Sequence, residues 1–347
     1  MSPSIYTKHK NSSPRALEEA LVKEAICRVI DRKTYRASTE QPQVIAFEEA
    51  ISRYLGGSPV LGVNSCTEAL IFALRAAGIN RGDEVIVPAL SFISTASCVP
   101  WVGANPVFAD IRTEDCAIDA TKVEEKITSK SKAIIVAHLY GQPAIGMEAI
   151  LRVAKEHSLL VIEDAAQSFG AQIKIDGKWK FVGTIGDLGC LSFSSTKHFA
   201  APGNAGAIVV NNRGLYDELD RTRFYGGRIL YRDYPTVGIS AKLHEVQAAA
   251  LIAKFPFLNQ WLEHRIRIAE YYTHHLYGVG DLILPSECSD TKRVWYRYVV
   301  RTKKRDALLN HLKELSSAWP HLEPAINYPV PLPYFSAFGQ KYGRGDF

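Results

Sequence analysis

One lysine, Lys197, lies in a connection of small and hydroxyl-bearing residues, SSTKHFAAPGN, between two apolar runs. A lysine amine can attack a carbonyl carbon and can move protons, so it can serve as a nucleophile or a general base. A lysine on a loop is also commonly a solvated surface charge. The residues around it must therefore decide between a catalytic amine and an ordinary surface lysine.

A second candidate is the segment GVNSCTEAL, which covers residues 62–70. Ser65 and Glu68 have the spacing of a capping box, which marks the start of a helix. The backbone N–H groups of Cys66 and Thr67 at such a start can bind a phosphate. Helix capping alone explains the same residues, so two interpretations stand at this point.

A third candidate is Asp164, which ends the apolar run LLVIED of a predicted strand. Ligands of open α/β sheets collect beyond the carboxyl ends of the strands. A buried carboxylate at that place needs a cationic partner, and the protonated ring nitrogen of a ligand would supply one. Capping of the following turn is the alternative interpretation.

The three candidates match the requirements of one cofactor, pyridoxal phosphate. That cofactor needs donors for its phosphate, an acid that faces its ring nitrogen and a lysine for covalent attachment. The candidates occur in the order phosphate donors, carboxylate, lysine. Their combination predicts Lys197 as the catalytic amine.

The elements that must position these residues alternate between strands and helices. Short apolar runs predict strands at 59–63, 83–89, 105–111, 132–141, 159–164, 189–195 and 206–212. Helical spacing predicts helices at 14–34, 43–56, 67–79, 91–103, 119–127 and 145–157. Such alternation predicts an α/β fold with a mostly parallel sheet, and near-continuous apolar strands predict burial on both faces.

The pattern changes after about residue 240. A long helical stretch reaches residue 276 with a break expected at Pro256, a strand is predicted at 293–302 and a helix at 305–315. We therefore predict N-terminal helices and a large cofactor-binding domain over residues 1–240, and a smaller α+β domain over residues 241–347.

Composition excludes several classes of protein. The 347 residues are 47% hydrophobic and 22% charged, which is typical of a globular protein. The net charge of +5 is dispersed, which disfavours a nucleic-acid partner. No apolar run approaches the ~18 residues of a membrane span, and no secretion signal is recognisable, so we expect a cytoplasmic protein. The six cysteines lack metal-ligand spacing, so no metal is predicted.

From about residue 40 onward the chain resembles the sugar aminotransferase family typified by the DegT, DnrJ, EryC and StrS proteins. The resemblance is carried by RGDEVIVPALSFIST, HLYGQP, VIEDAAQSFGA, SFSSTKHFAAPGNAGAIVV, EVQAAAL and NYPVPLP, in that order. It implies the fold-type I aspartate aminotransferase architecture, pyridoxal 5'-phosphate as cofactor and a homodimer whose sites use both subunits.

The resemblance also implies a role for each matching residue. Lys197 carries the cofactor and moves the proton. The cofactor phosphate is bound by Cys66, Thr67, Ser192 and, from the neighbouring subunit, Ser240. Around the cofactor ring, Phe92 stacks on its face, Asp164 faces its nitrogen and Gln167 reaches its hydroxyl. The chain departs from the family at several positions. Cys66 replaces a glycine, Ser240 an asparagine and Lys242 an arginine, Tyr296 and Asn327 replace histidines, and relatives continue beyond the final GDF.

The implied reaction moves an amino group from L-glutamate to a nucleotide-linked keto sugar, with the GNAGAIV and QAAALIAKF segments favouring carbon 3 over carbon 4. The same machinery could aminate a keto-cyclitol or another ketone. A non-catalytic or regulatory relative that binds the cofactor is a further alternative. A nucleotide-binding oxidoreductase is disfavoured, because no GxGxxG follows the first strand.

Overall fold

The structure is a computed structural model that describes residues 13–36, 41–228, 232–319 and 322–338. Ten strands occur in these ranges: β1 (Val60–Val63), β2 (Glu84–Pro88), β3 (Asn105–Ala109), β4 (Ser131–Ala137), β5 (Leu160–Asp164), β6 (Gln172–Ile175), β7 (Lys178–Phe181), β8 (Leu188–Ser192), β9 (Gly206–Val210) and β10 (Thr291–Lys292). Seven of them form a central sheet in the order β1-β9-β8-β5-β4-β2-β3, and the other three form a small sheet in the order β10-β6-β7.

The central sheet is mostly parallel. Strands β3, β2, β4, β5 and β8 run parallel, and β9 runs antiparallel to its neighbours β8 and β1. This confirms the predicted α/β fold. It also brings the carboxyl ends of β1, β5 and β8 to the edge at which β9 begins.

Ten α-helices are present in the described ranges: α1 (Pro14–Arg32), α2 (Pro42–Tyr54), α3 (Cys66–Ala76), α4 (Ser94–Trp101), α5 (Ala120–Glu124), α6 (Met147–Glu156), α7 (Tyr216–Thr222), α8 (Glu245–Lys254), α9 (Leu258–Leu276) and α10 (Arg305–Leu315). They enclose the sheet between two apolar layers. Ile134 and Val136 of β4 join one layer, with α2, α6 and α8, whereas Ile135 joins the other, with α3 and α4. Successive strand residues point to opposite faces, so β4 is buried on both sides as its unbroken apolar run predicts.

The predicted strand at 293–302 is wrong. Val294 N donates to Gly141 O at 3.0 Å and Arg297 N donates to Tyr140 O at 3.2 Å, so this segment bonds to a turn rather than to a strand. Gly141 makes the close approach possible, because a Cβ there would lie 2.6 Å from the Tyr296 nitrogen. Arg301 alone pairs in β fashion, with Ile283. The side-chain types of this segment alternate as in a strand, but the segment joins no sheet.

The predicted break at Pro256 is confirmed, because the 3-10 turn Phe255–Phe257 separates α8 from α9. The hairpin of β6 and β7 was not predicted from the sequence.

Leu251 of α8 belongs to the same apolar layer as the β4 residues of the central sheet. The domain boundary near residue 240 stays a prediction, and the final GDF lies outside the described residues. Within the described ranges, no helix has the length and hydropathy needed to cross a membrane.

Candidate active site

The phosphate-binding segment of the sequence forms the start of α3, directly after β1. Glu68 N donates to Ser65 Oγ at 3.2 Å, as the capping box predicts. The N–H groups of Cys66 and Thr67 have no intrahelical acceptor at this position, and they donate to no other acceptor in the described ranges. Two backbone donors are therefore available to an anion.

Strand β9 begins against this helix start. Gly206 pairs with Val63 of β1 and with Ser192 of β8. A Cβ on Gly206 would lie 2.6 Å from the Cys66 nitrogen, so glycine keeps the space in front of the helix open. Ser192 is buried, and its hydroxyl has only 3.5 Å contacts, with Ser194, among the described residues. The sheet edge thus forms a cradle of two N–H groups and a hydroxyl.

Asp164 ends β5 at the same edge, and it is 7% exposed. Its Oδ2 accepts a hydrogen bond from Thr95 Oγ1 at 2.7 Å, and its Oδ1 accepts one from Ala166 N at 3.2 Å. The Cys66 thiol contacts Oδ1 at 3.9 Å, which links the carboxylate to the phosphate cradle. Burial and the Asp164 charge raise the pKa of the Cys66 thiol well above its usual range, so that thiol stays protonated and can donate.

Gln167 joins the site to the C-terminal part of the chain. Its Oε1 accepts from Tyr140 N at 2.8 Å, and its Nε2 donates to Tyr328 Oη at 2.7 Å. Burial raises the pKa of Tyr328 to about 12, so its hydroxyl is protonated at neutral pH. The Phe92 side chain is 53% exposed, and its ring centre lies 6.5 Å from that of Tyr328. The second hydrogen of the Gln167 amide has no acceptor among the described residues, so it remains for a ligand.

Lys197 lies in the connection from β8 to β9, and it is half-buried. Its Nζ lies 4.8 Å from the centre of the Tyr296 ring, a cation–π contact. The next residue, His198, is buried, and its Nε2 donates to Phe169 O at 2.8 Å. Burial lowers the pKa of His198 to about 4, so this imidazole is uncharged at neutral pH.

The Ser240 backbone lies beside Asn64, two residues before Cys66, but among the described residues its side chain makes no hydrogen bond to the other predicted residues. Its side chain is exposed, and its backbone oxygen accepts a long 3.5 Å hydrogen bond from Asn64 Nδ2. Within one chain it therefore adds nothing to the cradle. Its predicted role in a neighbouring subunit stays a prediction.

Sequence reasoning missed three residues that contact the predicted ones. Thr95 bonds Asp164, Tyr328 bonds Gln167, and Tyr140 bonds Gln167 through its backbone. Thr95 could have been found from its spacing, because Ser91 and Thr95 place hydroxyls four residues apart after β2, and Tyr140 and Tyr328 lie in the segments HLYGQP and NYPVPLP that carry the resemblance. Among the described residues, no group of three or more His, Cys, Asp or Glu side chains could hold a metal ion.

This donor set fits pyridoxal phosphate. The glycine-lined cradle suits the phosphate, the anchored Asp164 carboxylate suits a ring nitrogen, and Lys197 lies on the same sheet edge. An α/β fold with this site defines a pyridoxal phosphate-dependent enzyme.

The chain belongs to the DegT/DnrJ/EryC1/StrS aminotransferase family, whose profile matches residues 19–343. It is therefore a pyridoxal phosphate-dependent transaminase, as the sequence resemblance implies. In structure it is similar to S. venezuelae DesV in complex with a ketimine intermediate: the TM-score is 0.86 and the identity 33%, covering 99% of this chain and 86% of the other.

Two curated relatives are similar in sequence. A pleiotropic regulatory protein of Geobacillus stearothermophilus is 40% identical over 302 residues, which are 86% of this chain and 78% of the relative. The UDP-N-acetyl-3-dehydro-alpha-D-glucosamine 3-aminotransferase of Acidithiobacillus ferrooxidans is 39% identical over 288 residues, which are 82% of this chain and 74% of the relative.

Proposed function

We propose that this enzyme transfers the amino group of L-glutamate to carbon 3 of a nucleotide-linked keto sugar. The observation that carries the proposal is the anchored Asp164 carboxylate, which lies beside the phosphate cradle at the edge from which the Lys197 connection leaves. The name of the Acidithiobacillus relative supports the position of amination.

The residues of the site divide the work between them. When bound, pyridoxal phosphate supplies an electron sink for the carbon that loses its proton. Asp164 would hold a proton on the ring nitrogen, and the cradle with Ser192 would bind the phosphate. Lys197 would hold the cofactor at rest, and its released amine would take the proton from the donor carbon and deliver it to the cofactor carbon.

Two positions of the C-terminal region favour a keto-sugar acceptor of unusual structure. Tyr296 and Asn327 replace histidines that the resemblance implies at these positions. The Tyr296 ring contacts Lys197, and the Asn327 backbone oxygen accepts from Tyr140 Oη at 2.7 Å. Both positions are therefore linked to the predicted cofactor site and can select the sugar.

The first test is the visible absorbance of the protein with added pyridoxal phosphate and then with L-glutamate. We expect a band of the lysine-bound cofactor that is lost on addition of glutamate. Lys197→Ala should lack the band, whereas the exposed Lys180→Ala should retain it. A band that persists in Lys197→Ala would show that another lysine carries the cofactor.

The second test follows amino transfer to UDP- and dTDP-linked 3-keto and 4-keto sugars by mass spectrometry of the products. We expect the 3-keto sugars to be aminated faster. Amination of keto-cyclitols alone would overturn the nucleotide-sugar assignment. Binding of the cofactor with no transfer to any ketone would favour a regulatory role.

A homodimer is part of this proposal. Val237 and Ile239 are 74% and 50% exposed and directly precede the exposed Ser240, which suits a surface that a second copy covers. One chain has a mass of 38.5 kDa, and light scattering of the loaded enzyme should give twice that mass. A monomer that retains full activity would contradict the role of Ser240 in a neighbouring site. The cytoplasmic location stays a prediction.

A further inference from the structure

The Asp164 carboxylate is held by a hydroxyl chain that comes from another element of the fold. Thr95 Oγ1 on α4 donates to Asp164 Oδ2 at 2.7 Å, and the two residues are 69 positions apart. Thr95 is 0% exposed, and its oxygen lies 2.6 Å from the buried Ser91 hydroxyl. A threonine hydroxyl has one hydrogen to donate, and Thr95 donates it to the Asp164 carboxylate. The Ser91 hydroxyl must therefore be the donor in its hydrogen bond with Thr95.

The contacts at Asp164 leave room for one more donor. A carboxylate offers about four acceptor positions. Thr95, Ala166 N and the Cys66 thiol occupy three of them, and the short Thr95 bond is the strongest by geometry. The remaining position suits the N–H of a protonated ring.

We propose that Thr95, supported by Ser91, is a positioning residue that fixes the Asp164 carboxylate toward the ring nitrogen of the cofactor. A hydrogen bond to the charged form of an acid stabilises that charge. Loss of the Thr95 hydroxyl therefore weakens the ability of Asp164 to keep the ring nitrogen protonated. It also releases one oxygen of the carboxylate from its fixed orientation.

This inference rests on the proposed role of Asp164. A purely structural role for Thr95 would require only that its buried hydroxyl has a partner. The two roles differ in one property, because only the positioning role alters the protonation of the bound cofactor.

The test compares the Thr95→Val and Thr95→Ser enzymes after loading with pyridoxal phosphate labelled with 15N in the ring. We expect the ring-nitrogen resonance of Thr95→Val to move toward that of an unprotonated pyridine and the cofactor to bind about 10-fold more weakly. Thr95→Ser should recover most of both properties, because it restores the hydroxyl. Thr222→Val, which removes another buried hydroxyl, one that bonds Glu218, controls for stability.

An unchanged resonance in Thr95→Val would overturn the proposal, and so would a Thr95→Ser enzyme as defective as Thr95→Val. If Thr95→Val does not fold, Ser91→Ala should show the same displacement at reduced size, and its absence would be equally damaging. Asp164→Asn separates the two proposals. A ring-nitrogen resonance that is unchanged in Asp164→Asn would refute the role of Asp164. A resonance that is displaced in Asp164→Asn but unchanged in Thr95→Val would refute only the role of Thr95.

Discussion

The Lys197 amine lies 4.8 Å from the centre of the Tyr296 ring. A residue of the C-terminal region therefore faces the lysine that follows β8 of the central sheet. The His198 ring also lies near this tyrosine, at 6.3 Å between ring centres. Tyr296 is held in place by the segment that bonds to the turn at Gly141. The position of the predicted catalytic amine therefore depends on contacts across the fold.

Replacing Tyr296 by leucine should slow the reaction of the loaded enzyme with L-glutamate about 3-fold. The ring contacts the end of the Lys197 side chain and orients it, and the loss of a contact worth about 0.5–1 kcal/mol corresponds to such a change in rate. Stopped-flow absorbance measures the rate. Tyr296→Phe keeps the aromatic face and should remain close to the parent enzyme, and equal rates for the leucine and phenylalanine variants would contradict an orienting role.

Gly206→Ala should weaken cofactor binding and lower the free energy of unfolding by about 1–3 kcal/mol. The new Cβ would lie 2.5 Å from the Ser65 carbonyl carbon and 2.6 Å from the Cys66 nitrogen, inside the phosphate cradle. Fluorescence titration with pyridoxal phosphate measures the affinity. Gly146→Ala is a matched control, because its Cβ would meet only the Arg112 Cδ atom, at an ordinary contact distance of 3.7 Å. Unaltered affinity in Gly206→Ala would argue that the phosphate binds elsewhere.

Glu163→Gln should destabilise the fold by about 3 kcal/mol. The Glu163 carboxylate is buried and accepts from the backbone N–H groups of Gly183, Ile185 and Gly186, each at 2.7 Å. It also accepts from His138 Nε2 at 3.0 Å, because His138 Nδ1 accepts from a backbone N–H.

A glutamine at this position would point the hydrogens of its amide group toward some of these N–H donors. At least one of the buried N–H groups would then have no acceptor. Urea denaturation gives the free energy. The exposed Glu156→Gln should change it by less than about 0.5 kcal/mol. A stable Glu163→Gln protein would show that the loop from 183 to 186 does not depend on the charge.

Stability should fall as the pH falls from 7 to 5, in part because of His198. Burial lowers its pKa to about 4, so in this range the unfolded chain binds a proton that the folded chain does not. By linkage, His198 accounts for a loss of about 2 kcal/mol between pH 7 and pH 5.

The measurement is the difference in pH dependence between the parent and His198→Gln, which should lose stability less steeply. His275→Gln, at an exposed position, should follow the parent curve. Parallel curves for the parent and His198→Gln would show that the folded protein accommodates a charged imidazole.

The sequence by itself predicted the mostly parallel sheet, the order of the candidate functional segments and the candidate roles of Lys197 and Asp164. Apolar runs at strand spacing record burial on both faces, and that property is local to each run. Asp164 and Ser192 could be assigned to one edge, because parallel strands place their carboxyl ends together. The capping box at Ser65 likewise needs only neighbours in the chain.

Only the tertiary structure decided which side chains support these residues. Thr95 meets Asp164 across 69 positions, and Tyr328 meets Gln167 across 161. Such contacts depend on the path of the backbone through space, which residue types and spacing do not record. The segment 293–302 shows the same limit, because its side-chain types alternate as in a strand, whereas its backbone bonds to the turn at Gly141.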